Sequence, residues 1–324
     1  MLRYIFRRVL LMIPVMLGAI IIVFTINFCS EVSPAVIALG SHALDEELLA
    51  KTEHEMGLDR PYLVQLGEYL LNLIRGDLGD SYVYPQKVAT LIKARIPNTL
   101  KISVMSICFA AVIGIPLGVI AALRQNTIVD YGTTTFAVLL NSMPSFLVAV
   151  LLMIVFAVKL RWFPVSGLDN WTGYVLPIAA ATVTPITQNA RMTRSAVLEV
   201  IRLDYIRTAR SKGIDEGTIR IRHVLRNALI PILTLIGGSL GHCVAGSILV
   251  EKIFNVPGMG TLISQSISVK DYITVQGCVI VCALFVTVMN LLTDLAYAAV
   301  DPRIRAQLSV KKRRREKPAA VREG

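Results

Sequence analysis

Apolar residues run along the 324-residue chain in long blocks bounded by charge, without the strict alternation that marks half-buried strands. Six blocks reach or approach the roughly 20 residues a helix needs to cross a bilayer: 8–28, 99–123, 134–158, 174–192, 229–250 and 276–300. The fourth is the most dilute, carrying Pro177, Thr182, Thr184, Pro185 and Gln188. This pattern predicts an all-α, polytopic membrane protein with six transmembrane helices. It divides the chain into a first transmembrane helix (1–28), a segment outside the membrane (29–98), a core of five transmembrane helices (99–300) and a polar tail (301–324). Residues 1–27 begin like a signal peptide, yet their apolar run is long enough to span and no small-x-small cleavage pattern follows, so they read as a retained helix.

The polar stretches differ in kind. DEELLAKTEHEMG, residues 45–57, reads as a short polar-faced helix closed by Gly57. PYLVQLGEYLLNLIRG reads as an amphipathic helix with Pro61 in its first turn and one apolar stripe of Leu63, Leu66, Tyr69, Leu70, Leu73 and Ile74. It is expected on the membrane surface. Leu203 to Lys212 contains no helix breaker, Gly213 is a natural stop, and Asp215 can cap a second helix running through Leu229.

Composition supports the bilayer as solvent: 54% of residues are hydrophobic, only 17% are charged, and mean hydropathy is +0.63. The net charge of +11 does not point to nucleic acid, because the basic residues flank apolar blocks with few aromatics among them. They follow the positive-inside rule instead. Arg3, Arg7 and Arg8 precede the first block, nine basic residues oppose four acids between Arg191 and Arg226, and the tail from Asp301 is strongly basic. Segment 29–98 carries ten acids against six basic residues. Both termini and the loop 194–228 are therefore expected in the cytoplasm, with 29–98 outside.

Catalytic signals are missing from the sequence. No GxxxxGK[ST] stretch is present to hold nucleotide phosphates. Cysteines 29, 108, 243, 278 and 282 form no CxxC pair, and histidines 42, 54, 223 and 242 show no metal-ligand spacing. Neither a cofactor nor a metal is expected on this chain. Gly258-Met259-Gly260 reads as a turn that is part of an external gate helix, and Asp294 as an anchoring carboxylate more than a proton-coupling one.

YIRTARSKG followed by IRHVLRNALIPILT resembles the cytoplasmic EAA loop of permease subunits in binding-protein-dependent ABC importers, closest to the dipeptide, oligopeptide and nickel branch. Arg207, Thr208 and Ala209 stand at the three opening positions of that motif, Gly213 at its Gly and Leu225 at its Leu. His223 and Arg226 replace its Ile and Pro, and Pro231 supplies a displaced proline. The likeness extends to MGLDRPYLVQ, GDLGDSY, RIPNTL, SMPSF, VEKIFNVPGMG and DLAYAAVDPRIR. It implies a type I importer permease fold with a cytoplasmic coupling helix, in a bacterial or archaeal plasma (inner) membrane. It also implies partners: a second homologous permease, two cytoplasmic ABC ATPases that use ATP and Mg2+, and an extracytoplasmic solute-binding protein.

On this reading Arg207, Thr208, Ala209, Gly213, Ile219, His223, Leu225 and Arg226 couple to the ATPases. Small Ala209 and Gly213 keep the docking surface low, while Ile206, Ile219 and Leu225 offer apolar contacts to the ATPase. Gly237, Gly241 and Ala245 on the fifth span, like Gly114 and Gly118 on the second, allow close helix packing. Asn141, Ser142, Ser145, Ser239 and His242 are the candidate translocation path. Di- and oligopeptides are the default cargo, with glutathione or nickel chelates as alternatives. A secondary transporter working alone would need coupling carboxylates and would not need segment 203–234. A membrane-embedded enzyme would need a catalytic constellation that the sequence does not offer.

Overall fold

The computed structural model describes residues 2–30, 32–168 and 170–300, with backbone alone for residues 2–5, 7, 230, 234, 240–247 and 296–300. The basic tail lies outside the described residues. Among the described residues all named elements are helical, and the single β contact is an isolated bridge between Asp80 and Lys87.

Three helices are long and apolar enough to cross a membrane on their own: α1 (Leu2–Phe28), α5 (Val88–Leu123) and α13 (Tyr272–Val300). Between α1 and α5 lie three short helices: α2 (Pro34–Leu39), α3 (Glu46–Glu55) and α4 (Tyr62–Ile74). Asp45 caps α3 by accepting from the amides of Glu47 and Leu48 at 3.1 and 3.2 Å, and Gly57 follows it with φ 69°. Helix α4 packs on α1 through Tyr69 of the expected stripe and Tyr62 beside it, against Phe24 and Phe28, while Leu63 and Ile74 of that stripe are exposed.

The expected third span is not one rod. Helix α6 (Ile128–Ser142) meets α7 (Ser145–Leu152), itself continued by a π-helical turn to Lys159, at a bend of 98°. Pro144 causes the break: it lacks an amide proton and pushes Met143 into extended geometry, ψ 127°. Counting this bent pair as one span gives up to four by length and apolarity among the described residues, against the six expected. The residues of the other two expected spans lie in α8 (Val175–Ile201) and α11 (Arg226–Ile253), with 27 and 28 residues, which are not among the helices apolar enough to count as spans. At about 1.5 Å per residue both have the length to span.

Two boundaries shift for one physical reason. Helix α5 starts at Val88, well before residue 99, and α8 runs on through Arg191 and Arg194 to Ile201, into the expected loop. Charged side chains end an apolar run but not a helix, and these extra turns are held by tertiary packing. Val88 and Ile92 are buried against Met259, Leu262 and Cys278, and Ala196, Val197 and Val200 belong to a second core.

The most extensive helix pair is α5 with α8. A Cβ at Gly114 would lie 2.8 Å from the Ile186 carbonyl oxygen, and one at Gly118 would lie 2.4 Å from that of Ala190, so only hydrogen fits at either place. Helix α11 packs on α8 and α13, and α1 lies outside the bundle against α13. There Arg8 pairs with Asp294 at 2.6 Å, which gives Asp294 an anchoring geometry.

Candidate coupling element and cavity

Segment 203–225 folds onto one end of the bundle. Helix α9 (Asp204–Ser211) is one short amphipathic piece, and Gly213 with φ 74° turns the chain back. Asp215 then caps α10 (Glu216–Thr218) by accepting from the Thr218 amide at 3.0 Å. From there the helix continues: a π-helical stretch, Ile219–Leu225, joins α10 to α11 without a break. The second helix therefore does not end near Leu229. It is one element from 216 to 253 that accommodates Pro231 within it.

The apolar positions of this segment face inward, which corrects the expectation for three of them. Ile206 and Ile219 are fully buried and Ala209 nearly so, all in one core with Ala122, Val197, Val200 and Val224. They fasten α9 to the chain's own α5 and α8 and are not offered to another protein. Burying each isoleucine contributes about 1.5–3 kcal/mol. Ala209 is small because helix and bundle approach here.

The outward face is polar and basic: Arg207, Thr208, Arg210, Ser211, Lys212 and Gly213 are exposed, flanked by exposed Leu203 and Tyr205. His223 and Leu225 are half-buried and Arg226 is exposed. The turn is tied on both sides. Arg210 Nε donates to Glu216 Oε1 at 2.6 Å, and the guanidinium holds the Glu216 carboxyl below its usual range. Asn227 Nδ2 donates to the Tyr205 hydroxyl at 3.0 Å and to the His223 carbonyl at 2.7 Å. The Arg–Glu pair and the Tyr205 side were not foreseen from the motif, because side chains six and 22 positions apart meet only once the turn is made.

Beside this element a cavity of about 550 Å3 opens between α6, α8 and α11. Thr133, Thr134, Gln188, Arg191, Arg194 and Ser195 give it a polar wall. Arg194 also makes a two-pronged ion pair with Asp130, 2.5 and 2.8 Å, that joins α8 to α6. Asp130 is 1% exposed and accepts further from the Asn126 amide at 3.0 Å. The candidate path residues fall elsewhere. Asn141, Ser142 and Ser145 sit at the α6–α7 bend, and Ser239 on α11 is half-buried, donating to the Leu235 carbonyl at 2.8 Å. None of these four lines the cavity. The His242 side chain, with Gly241 and Ala245, lies outside the described side chains. Gly237 faces α13, where a Cβ would come within 2.5 Å of Thr293 Cγ2, whereas Gly238 meets nothing within 4 Å.

At the opposite end, Glu251 is a buried carboxylate that the sequence reading passed over. Its oxygens accept from Thr99 Oγ1 at 2.7 Å and from the Gly260 amide at 2.7 Å, at the start of α12 (Met259–Ser268). Thr99 Oγ1 in turn accepts from the Met259 amide at 2.8 Å. Gly258 and Gly260 leave the room this needs, since a Cβ on either would lie 2.4 Å from a Glu251 or Ile248 atom. Gly258-Met259-Gly260 is thus the seat of a helix N-terminus on an anion, more than a simple turn.

Sequence-family comparison decides what this arrangement belongs to. Residues 114–306 match the binding-protein-dependent transport system inner membrane component, and residues 1–103 match the N-terminal part of such membrane components. The chain belongs to this family. It is the inner-membrane permease subunit of an ABC importer. Similar relatives include the glutathione transport system permease protein GsiC of Pectobacterium atrosepticum and of Salmonella choleraesuis. Each is 37% identical over 305 residues, covering 94% of this chain and 99% of the relative. The GsiC protein of Escherichia coli K12 is 36% identical over the same coverage. Among solved structures, the inward-facing MetNI methionine ABC transporter matches with a TM-score of 0.55 at 22% identity, over 66% of this chain and 97% of that one. That likeness shows a shared fold.

Proposed function

We propose that the permease pairs with a second homologous permease to form a path for small peptides, and that α9 receives the stroke of cytoplasmic ABC ATPases. A binding protein delivers the cargo at the opposite, α12 end, and ATP and Mg2+ are used in the partner ATPases. Both termini and α9 then lie in the cytoplasm, in keeping with the basic residues around them. One observation carries the reading. The exposed face of α9 is mounted on a buried apolar underside and leads through one uninterrupted helical element, 216–253, to the far end of the bundle. A push on Arg207, Thr208 or Lys212 is transmitted because the core beneath is close-packed. The open side of Gly238 suits a partner helix or the path itself.

Glutathione is the favoured cargo, since the relatives named above carry that name and are collinear with this chain. The cavity beside Arg191 agrees, offering cationic and hydroxyl groups to a carboxylate-rich tripeptide. The test is uptake of radiolabelled glutathione and of a neutral dipeptide into proteoliposomes holding the complete importer, with and without ATP. ATP-dependent uptake that prefers glutathione is expected. Equal uptake without ATP would overturn the coupling role, and preference for the dipeptide would overturn the cargo.

A further inference from the structure

Away from α9 and from the cavity beside Arg191, a second cavity of about 500 Å3 lies between α1, α3, α4 and the start of α13. Three polar atoms of residues that line it are buried and make no hydrogen bond of ordinary geometry: Asn27 Oδ1, the Tyr69 hydroxyl and Gln276 Nε2, although the Gln276 side chain lies close enough to the Tyr69 hydroxyl to interact with it. Gln276 is 2% exposed. Its Oε1 already accepts from Asn27 Nδ2 at 3.0 Å, so the two amides fix each other and leave one acceptor and one donor unused. Burying such groups unsatisfied is costly. A ligand that meets them recovers that cost. Burial also pushes the Tyr69 phenol above its usual pKa, so it stays a hydroxyl able to donate or accept.

Among the described residues, the charged groups that line the cavity itself are the acids Glu53, Asp59 and Glu68, with His54 and Arg60 beside two of them. Asp59 is paired with His54 and Glu68 with Arg60, whereas Glu53 takes a hydroxyl hydrogen bond from Ser33 at 2.7 Å. The rings of Phe24, Phe28 and Tyr69 line the same cavity, and aromatic faces attract cations.

We propose that this cavity binds a primary ammonium that carries a neighbouring oxygen acceptor. The ammonium donates to Asn27 Oδ1 and is drawn by Glu53, while the acceptor takes hydrogen bonds from Gln276 Nε2 and the Tyr69 hydroxyl. Two sources offer this chemistry: the amino headgroup of a phospholipid at the membrane surface, and a free amine such as a peptide N-terminus.

The full-length permease is tested in nanodiscs of phosphatidylcholine with phosphatidylglycerol, with tritiated alanyl-alanine amide as probe and scintillation proximity as readout. Saturable binding is expected, at least tenfold weaker for the N-acetylated probe and for Gln276→Leu or Asn27→Leu, and several-fold weaker for Glu53→Gln. In discs where phosphatidylethanolamine replaces phosphatidylcholine, displacement of the probe identifies the lipid headgroup as occupant. Native mass spectrometry should then find that lipid retained on the wild type and lost from Gln276→Leu. Unchanged probe binding in those discs identifies the free amine. No probe binding together with no retained amino lipid overturns the proposal, as does binding indifferent to N-acetylation or to Gln276→Leu in a protein of unchanged melting temperature. None of these outcomes depends on which cargo the importer carries.

Discussion

At the residue scale, glycine and a few charges decide what the chain can do. Gly213 holds φ 74° at the turn after α9, a geometry costing other L-residues about 1–2 kcal/mol and closed to proline. Gly213→Pro should abolish ATP-driven transport while leaving membrane insertion intact, whereas Gly213→Asn should retain most of it. Transport assays of the two variants against a membrane-fraction immunoblot check this. Asp130, 1% exposed and paired with Arg194, is the second such position. Losing the charged hydrogen bonds to Arg194 should destabilise by about 1–3 kcal/mol, read as a lowered melting temperature for Asp130→Asn in detergent. Glu216 gives a pH signature. Its folded carboxyl sits below the usual range because of Arg210, so its contribution is complete above that range and fades as pH falls through the lowered value. Hydrogen exchange of residues 203–216 should accelerate only in acid below the usual carboxylate range. In Glu216→Gln that acid step should vanish.

At the element scale, the sequence was most legible where one pattern did one job. Apolar length found α1 and α13, and Gly57 after α3 and the capping residue Asp215 stand where short polar signals placed them. It was least legible where tertiary contact overrides the local signal. The apolar run hid the Pro144 break, and charge at Arg191 and Arg194 hid the last turns of α8. Ile206, Ala209 and Ile219 were assigned to a docking face, because hydrophobicity alone does not say which neighbour buries it. Glu251 was invisible as a buried anchor, since its partners Thr99 and Gly260 are far from it in sequence or on a different helix. The continuity of 216–253 carries an expectation at this scale. Inserting two glycines after Leu225 should leave the ATPases bound, as judged by co-purification, and reduce transport at least tenfold. Full transport by that insertion variant would remove the lever from the account.

At the scale of the whole molecule, the permease is a bundle with two differently built ends. One presents α9 over a close-packed apolar core, and the other seats α12 on a buried carboxylate and holds the cavity near Gln276. The central claim is that force enters through the outward face of α9 and reaches the far end along α11. The most direct measurement is disulfide trapping between a cysteine introduced at Thr208, in an otherwise cysteine-free chain, and cysteines scanned across the ATPase surface, with transport assayed before and after reduction. The account predicts rapid crosslinking at Thr208, none at the buried position Ala209, and transport that stops on oxidation and returns with reductant. Crosslinking at neither position, or undiminished transport in the crosslinked complex, would contradict it.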